Sequence, residues 1–136
     1  MQINTYLNFN GRCRAAFTFY ERVLGGKIEA MFTHGETPAA AHVPADRQDM
    51  IMHAQLTVGD AVLLGSDAPM NNRSEPSGFY VSLHYDDVDE AGRVFNALAE
   101  GGKVQVPFAE TFWAVRFGML VDQFGIPWMV NCQKAA

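Results

Sequence analysis

Residues 110–131 read ETFWAVRFGMLVDQFGIPWMVN. Two short apolar runs, AVRFGMLV and IPWMVN, flank the tetrapeptide DQFG, and neither holds an acidic residue. Such runs around a polar turn ending in glycine predict two buried strands joined at Asp122–Gly125. The segment carries both tryptophans, Trp113 and Trp128, with Glu110 and Arg116 beside the first. A lone hairpin cannot bury that much aromatic area, so the segment belongs to a larger sheet.

The sheet is found by working outward. Residues 3–9, INTYLNF, alternate with Ile3, Thr5, Leu7 and Phe9 on one face. From Arg12 to Leu24, Ala15, Ala16, Phe19, Tyr20 and Val23 keep helical spacing, and Gly25–Gly26 ends the run. Lys27–Thr33 reads as a strand, and residues 34–49 as a loop. Residues 50–58 and 61–65 read as a hairpin turning at Gly59–Asp60. A polar loop follows over 66–78. Then the pattern starts again. Gly78–Tyr85 alternates, Val88–Glu100 is helical with Asp86 or Asp87 placed to cap it, and Gly101–Gly102 ends it. Lys103–Val106 is the next strand, which Pro107 is expected to close.

The two halves match at an offset of 76 residues. Leu7 meets Leu83, Ala15 meets Ala91, Phe19 meets Phe95, and Gly25–Gly26–Lys27 meets Gly101–Gly102–Lys103. The chain therefore reads as β-α-β-β-β twice, an internal repeat of two packed modules. The expected class is α+β, a single domain of modules near 1–66 and 77–134 joined by loop 67–76.

Bulk properties narrow the function. A chain of 136 residues with 49% apolar residues suffices for one globular core. A formal net charge of −5 argues against a general nucleic-acid binder. The N-terminus shows no secretory signal and no window is apolar enough to span a membrane, so a cytoplasmic protein is expected. Cys13 and Cys132 form neither a disulfide framework nor a metal knuckle.

Three segments carry a resemblance: YLNFNGRCRAAFTFYERVLGGKI, MHAQLTVGDAVLLGSDAP and ETFWAVRFGMLVDQFGIPWMVN. With them the chain resembles the vicinal-oxygen-chelate superfamily of glyoxalase I, bleomycin-resistance proteins and extradiol dioxygenases. Within it the chain is similar to the PhnB-like group, often labelled 3-demethylubiquinone-9 3-methyltransferase-like. The resemblance implies paired β-α-β-β-β modules with curved mixed sheets around a shared cavity, and usually a homodimer. The methyltransferase label has little physical support, since no long glycine-rich loop follows the first strand.

Metal-dependent members of that superfamily hold one divalent ion with His or Glu from four strands. By the resemblance those places fall at Asn4 or Thr5, Leu63 or Leu64, Tyr80 or Phe79, and Met129. None is His, Asp or Glu, and an amide, a phenol and a thioether are poor partners for such an ion. No metal and no other cofactor is therefore expected at the usual place. The four histidines, His34, His42, His53 and His84, form no HExxH pair. A displaced site using His53 and Glu110 stays open.

What remains is a binding face. Asn4, Tyr6, Asn8, His53, Gln55, Tyr80, Ser82 and His84 fall on polar strand faces, where a packed sheet would be apolar. Trp113 stands just before a strand with Glu110, Phe112 and Arg116 around it. Aromatics with a few polar groups suit a small organic ligand. Tyr6, Gln55, Tyr80, Trp113 and Arg116 are the candidate ligand contacts, Arg116 as an anion clamp. The alternative is a lyase or other enzyme acting on a small oxygenated or anionic metabolite, with His53 and Glu110 as acid–base groups.

Overall fold

The structure, a computed structural model, describes residues 1–68 and 75–133. The chain divides into two compact units, Met1–Ser74 and Glu75–Ala136. The first unit runs β1 (Thr5–Phe9), α1 (Cys13–Leu24), β2 (Lys27–Thr33), β3 (Ile51–Val58) and β4 (Ala61–Asp67). Three short 3-10 turns, His34–Glu36, Pro38–His42 and Ala45–Arg47, fill the segment between β2 and β3. The second unit runs β5 (Val81–Tyr85), α2 (Val88–Ala99), β6 (Lys103–Ala109), β7 (Ala114–Val121) and β8 (Pro127–Gln133). The sheet orders are β1-β4-β3-β2 and β5-β8-β7-β6. In each, the first strand lies parallel to the last and the other pairings are antiparallel. The α+β class with two mixed four-stranded sheets is thus as the repeat predicts.

The helices bury one stripe each. Cys13, Ala16, Phe17, Phe19, Tyr20 and Val23 are the buried side of α1, and Ala91, Val94, Phe95 and Leu98 that of α2. The matched Gly-Gly pairs have matched causes. Gly25 and Gly101 take φ of 71° and 73°, the left-handed conformation that lets a helix stop. A Cβ on Gly26 would sit 2.5 Å from the Thr57 carbonyl oxygen, and one on Gly102 would sit 2.3 Å from that of Val121. The first glycine turns the chain and the second lets it pass close to a neighbouring strand.

The helix starts differ. Asp87 caps α2 locally, its Oδ1 accepting from the Asp89 and Glu90 backbone N–H groups at 2.9 and 3.4 Å. Arg12 gives α1 no side-chain cap. Asp67 does so from the end of β4, Oδ1 accepting from Cys13 N–H and Oδ2 from Ile51 N–H, both at 2.9 Å. One buried carboxylate ties α1, β3 and β4 together.

The turn of the opening segment forms as expected: Gly125 N–H donates to the Asp122 carbonyl at 3.0 Å, with Gly125 at φ 88°. The Asp122 side chain adds what the segment did not disclose. Its Oδ1 accepts from Phe124 and Ile126 N–H at 2.8 and 3.0 Å, and its Oδ2 from the Trp128 indole at 2.8 Å. Trp128 is fully buried core.

Some expected boundaries move. β6 does not close at Pro107 but runs on to Ala109. It is an outer strand, and its pairing with β7 is irregular between Val106 and Ala109, which accommodates a residue without an N–H. Ile3 falls outside β1 and is 88% exposed, because the ladder with β4 begins at Thr5. β5 begins at Val81, so Tyr80 precedes it, while β4 extends to Asp67. Part of the expected 66–78 loop, residues 69–74, lies outside the described residues.

Candidate functional site

A strand alternates its side chains, so each sheet has a helix face and an open face. In the first unit, Leu7, Phe9, Ala54, Leu56 and Leu63 are buried on the helix face. The open face carries the row Tyr6, Leu64, Gln55 and Ala30, with Asn8 beside Ser66 and His53 beside Phe32. The His53 imidazole stands between two rings, 6.3 Å from Tyr6 and 5.9 Å from Phe32 by centroid. Ser66 Oγ donates to Asn8 Oδ1 at 3.2 Å. Tyr6 is 47% exposed, although it is aromatic and lies mid-strand. The structure thus brings together Tyr6, His53 and Gln55 on one face.

In the second unit the helix face holds Trp128, Val130, Cys132 and Leu120, all buried. The open face carries Ser82, Met129, Met119 and Val106 in one row and His84, Asn131, Phe117 and Ala109 in the next. Trp113 lies edge-on to Phe117 at 5.5 Å and to Phe112 at 4.8 Å, and is itself 47% exposed. Thr111 Oγ1 holds the approach to β7 by accepting from Trp113 and Ala114 N–H. Tyr80 donates its hydroxyl to Gln105 Oε1 at 3.0 Å.

Arg116 is not beside Trp113. It pairs with Cys132 and shares its strand face with Gly118 and Leu120, the side that meets α2. Its exposed guanidinium donates to the Val115 carbonyl at 2.8 Å. Trp113 packs on Phe117, and Arg116, the residue before Phe117 in β7, faces the other side of the strand. Glu110 follows β6, exposed, and belongs to the second unit, whereas His53 belongs to the first.

The register shows what stands at the positions that the resemblance assigns to a metal. Leu64 and Met129 do face the open sides, Tyr80 spends its hydroxyl on Gln105, and Asn4 lies exposed ahead of β1. Two apolar side chains, a phenol and an amide do not make a donor set for a divalent ion. Among the described residues, no three of His, Cys, Asp and Glu come together as such a set.

Two features escaped the sequence. The first is a cleft of about 360 Å³ between the 3-10 turns and the end of β4, lined by His34, His42, Arg47 and Met50 among others. No periodicity marks the 34–49 segment, so nothing signalled that its basic groups meet. The second is a hydrogen-bonded row, Ser82–His84–Asn131. Ser82 and His84 share a polar strand face in the sequence, but Asn131 joins them only through the parallel pairing of β5 with β8.

Each unit is a mixed four-stranded sheet of the same order, with one helix on one face and a polar–aromatic open face, so the chain is an α+β repeat. The chain belongs to the Glyoxalase/Bleomycin resistance protein/Dioxygenase superfamily, whose model matches residues 2–130. It is 34% identical to Protein YjdN of Escherichia coli K12, over 98% of this chain and 97% of that one. It is similar to the crystal structure of protein PA1353 from Pseudomonas aeruginosa, at 49% identity and TM-score 0.90, covering 99% of each chain. A Bacillus cereus structure described as a putative 3-demethylubiquinone-9 3-methyltransferase, PhnB protein, shares the fold at 22% identity and TM-score 0.82, covering 97% of this chain and 99% of that one.

Proposed function

We propose that the protein binds a small organic molecule on the open faces of its sheets. The observation that carries this reading is the aromatic surface left uncovered there: Tyr6 and Trp113, which packs on Phe117, are each 47% exposed. Aromatic side chains of that size are normally buried in a core or at an interface. Each unit's face is a candidate by itself, with Tyr6, His53 and Gln55 as contacts in the first unit and Trp113 and Tyr80 in the second. Glu110 is exposed after β6, and Arg116 lies on the opposite strand face, so neither is a contact of this reading. Replacing Trp113 with Ala is expected to weaken binding by roughly 1–3 kcal/mol, the scale of one large apolar side chain. A thermal-shift screen of small organic molecules, followed by calorimetric titration of the wild type and W113A, tests it. Equal affinity in both, with W113A folded, places the ligand elsewhere.

An enzymatic use of the same face has one observation in its favour. The His53 ring lies on the open face between Tyr6 and Phe32, within reach of a bound molecule. Loss of turnover with retained binding in His53→Gln is the result that separates an enzyme from a binder.

A further inference from the structure

Asn131 is 5% exposed, and its Oδ1 is buried without a hydrogen-bond partner. Its other amide atom, Nδ2, lies 3.3 Å from His84 Nδ1. In this orientation of the Asn131 amide, Nδ2 donates to Nδ1, which puts the proton of a neutral ring on Nε2. Nε2 lies 3.0 Å from Ser82 Oγ and donates to it. The Ser82 hydroxyl proton is then left to point outward. The row is a directed chain: Asn131 to His84, His84 to Ser82, and Ser82 to whatever meets the sheet. It ends in one available donor and leaves one buried acceptor unsatisfied.

Buried polar atoms are nearly always paired, because an unpaired one keeps the full cost of losing water. The surroundings narrow what would satisfy it. The rows holding this chain are Ser82, Met129, Met119, Val106 and His84, Asn131, Phe117, Ala109. None is Asp, Glu, Lys or Arg, and the nearest basic residue on β7, Arg116, lies on the helix face. An anion brought there would meet no Lys or Arg, only the His84 imidazole, whose Nδ1 is held as an acceptor by the Asn131 amide. Two methionines and a phenylalanine, with Trp113 over Phe117, offer an apolar and polarizable floor instead.

We infer that Ser82, His84 and Asn131 form the polar end of a subsite for an uncharged small molecule, one carrying an N–H or O–H donor beside an aromatic or other apolar body. The inference rests on the small-molecule reading above and adds the charge class and the contacts. Phenylacetamide and phenylacetate are near-isosteres that differ in charge and in the N–H donor. Their titration into labelled protein is followed through the Asn131 side-chain amide and His84 ring resonances. Phenylacetamide is expected to shift both groups saturably, at least about tenfold more tightly than phenylacetate, a factor worth 1.4 kcal/mol. Ser82→Ala and His84→Phe change exposed side chains, so the fold is expected to survive, and each should weaken phenylacetamide severalfold. Phenylacetate binding as tightly as the amide overturns the inference. So does phenylacetamide affinity unchanged in both variants, a result that leaves the small-molecule reading standing. No shift at either group from either probe overturns it as well. The broader reading fails separately, if the thermal-shift screen also finds no ligand.

Discussion

At Asp122 a single carboxylate closes the turn between β7 and β8 and anchors Trp128. Three donors depend on it inside the protein, so its loss leaves buried N–H groups unpaired rather than merely removing a contact. Asp122→Ala is expected to cost about 3 kcal/mol or more in urea unfolding, from donors worth about 1–3 kcal/mol each. Asp122→Asn keeps one oxygen and should cost less; equal losses in the two variants would refute this division of roles. Cys13 offers a residue-scale test by pH. Burial first, and the neighbouring Asp67 charge second, push its thiol from 9.0 up to about 12. The folded state therefore holds its proton while the unfolded chain releases it. The resulting stability is complete below pH 9.0 and is lost as pH rises toward about 12. Stability of the wild type should fall over that range with a steeper slope than that of Cys13→Ala. Parallel slopes would show that other groups set the alkaline limit.

The two helices show why some elements were readable and others were not. The Gly-Gly stops, the α2 stripe and a cap at Asp86 or Asp87 are local, so spacing discloses them, whereas in α1 the expected Ala15 is exposed and Cys13 and Phe17 are buried instead. The α1 cap comes from Asp67, 54 residues away from Cys13, and no pattern near Arg12 hints at it. The same distinction governs the candidate site. Tyr6, His53 and Gln55 meet on one face because strand alternation is a sequence property. Arg116 was assigned beside Trp113 by proximity in the chain, and strand parity separates them. The His84–Asn131 pair depends on which strand neighbours β5, which is decided by packing of the whole sheet. The contrast between caps is measurable. Asp87→Ala removes an exposed cap and is expected to cost about 1 kcal/mol. Asp67→Ala should cost clearly more, because two buried N–H groups on different elements lose their partner. Similar urea midpoints for the two variants would mean that α1 does not rely on its remote cap.

The molecule's remaining question is what covers its strand edges. Each four-stranded sheet ends in an outer strand on both sides: β1 and β2 in the first unit, β5 and β6 in the second. Two of these carry features that discourage further pairing. β6 contains Pro107 and is exposed along nearly its whole length, and β2 presents Lys27 and Glu29. Charges and proline are the usual means of keeping an edge solitary. β1, TYLNF, and β5, VSLHY, have neither a charged residue nor a proline. Exposed apolar residues lie just ahead of both, Ile3 at 88% and Phe79 at 41%. Taken unit by unit, edges of this kind with apolar flanks favour association, and closed two-fold symmetry is the commonest form between copies of a chain. We propose a homodimer that covers these residues, which are otherwise costly to leave in water. Light scattering at micromolar concentration should then report about twice the 15.0 kDa chain mass. Ile3→Lys together with Phe79→Lys, two exposed changes that leave the described core intact, should shift the equilibrium toward monomer. A single 15.0 kDa species in the wild type counts against the proposal. A dimer indifferent to both lysines puts the interface on another face.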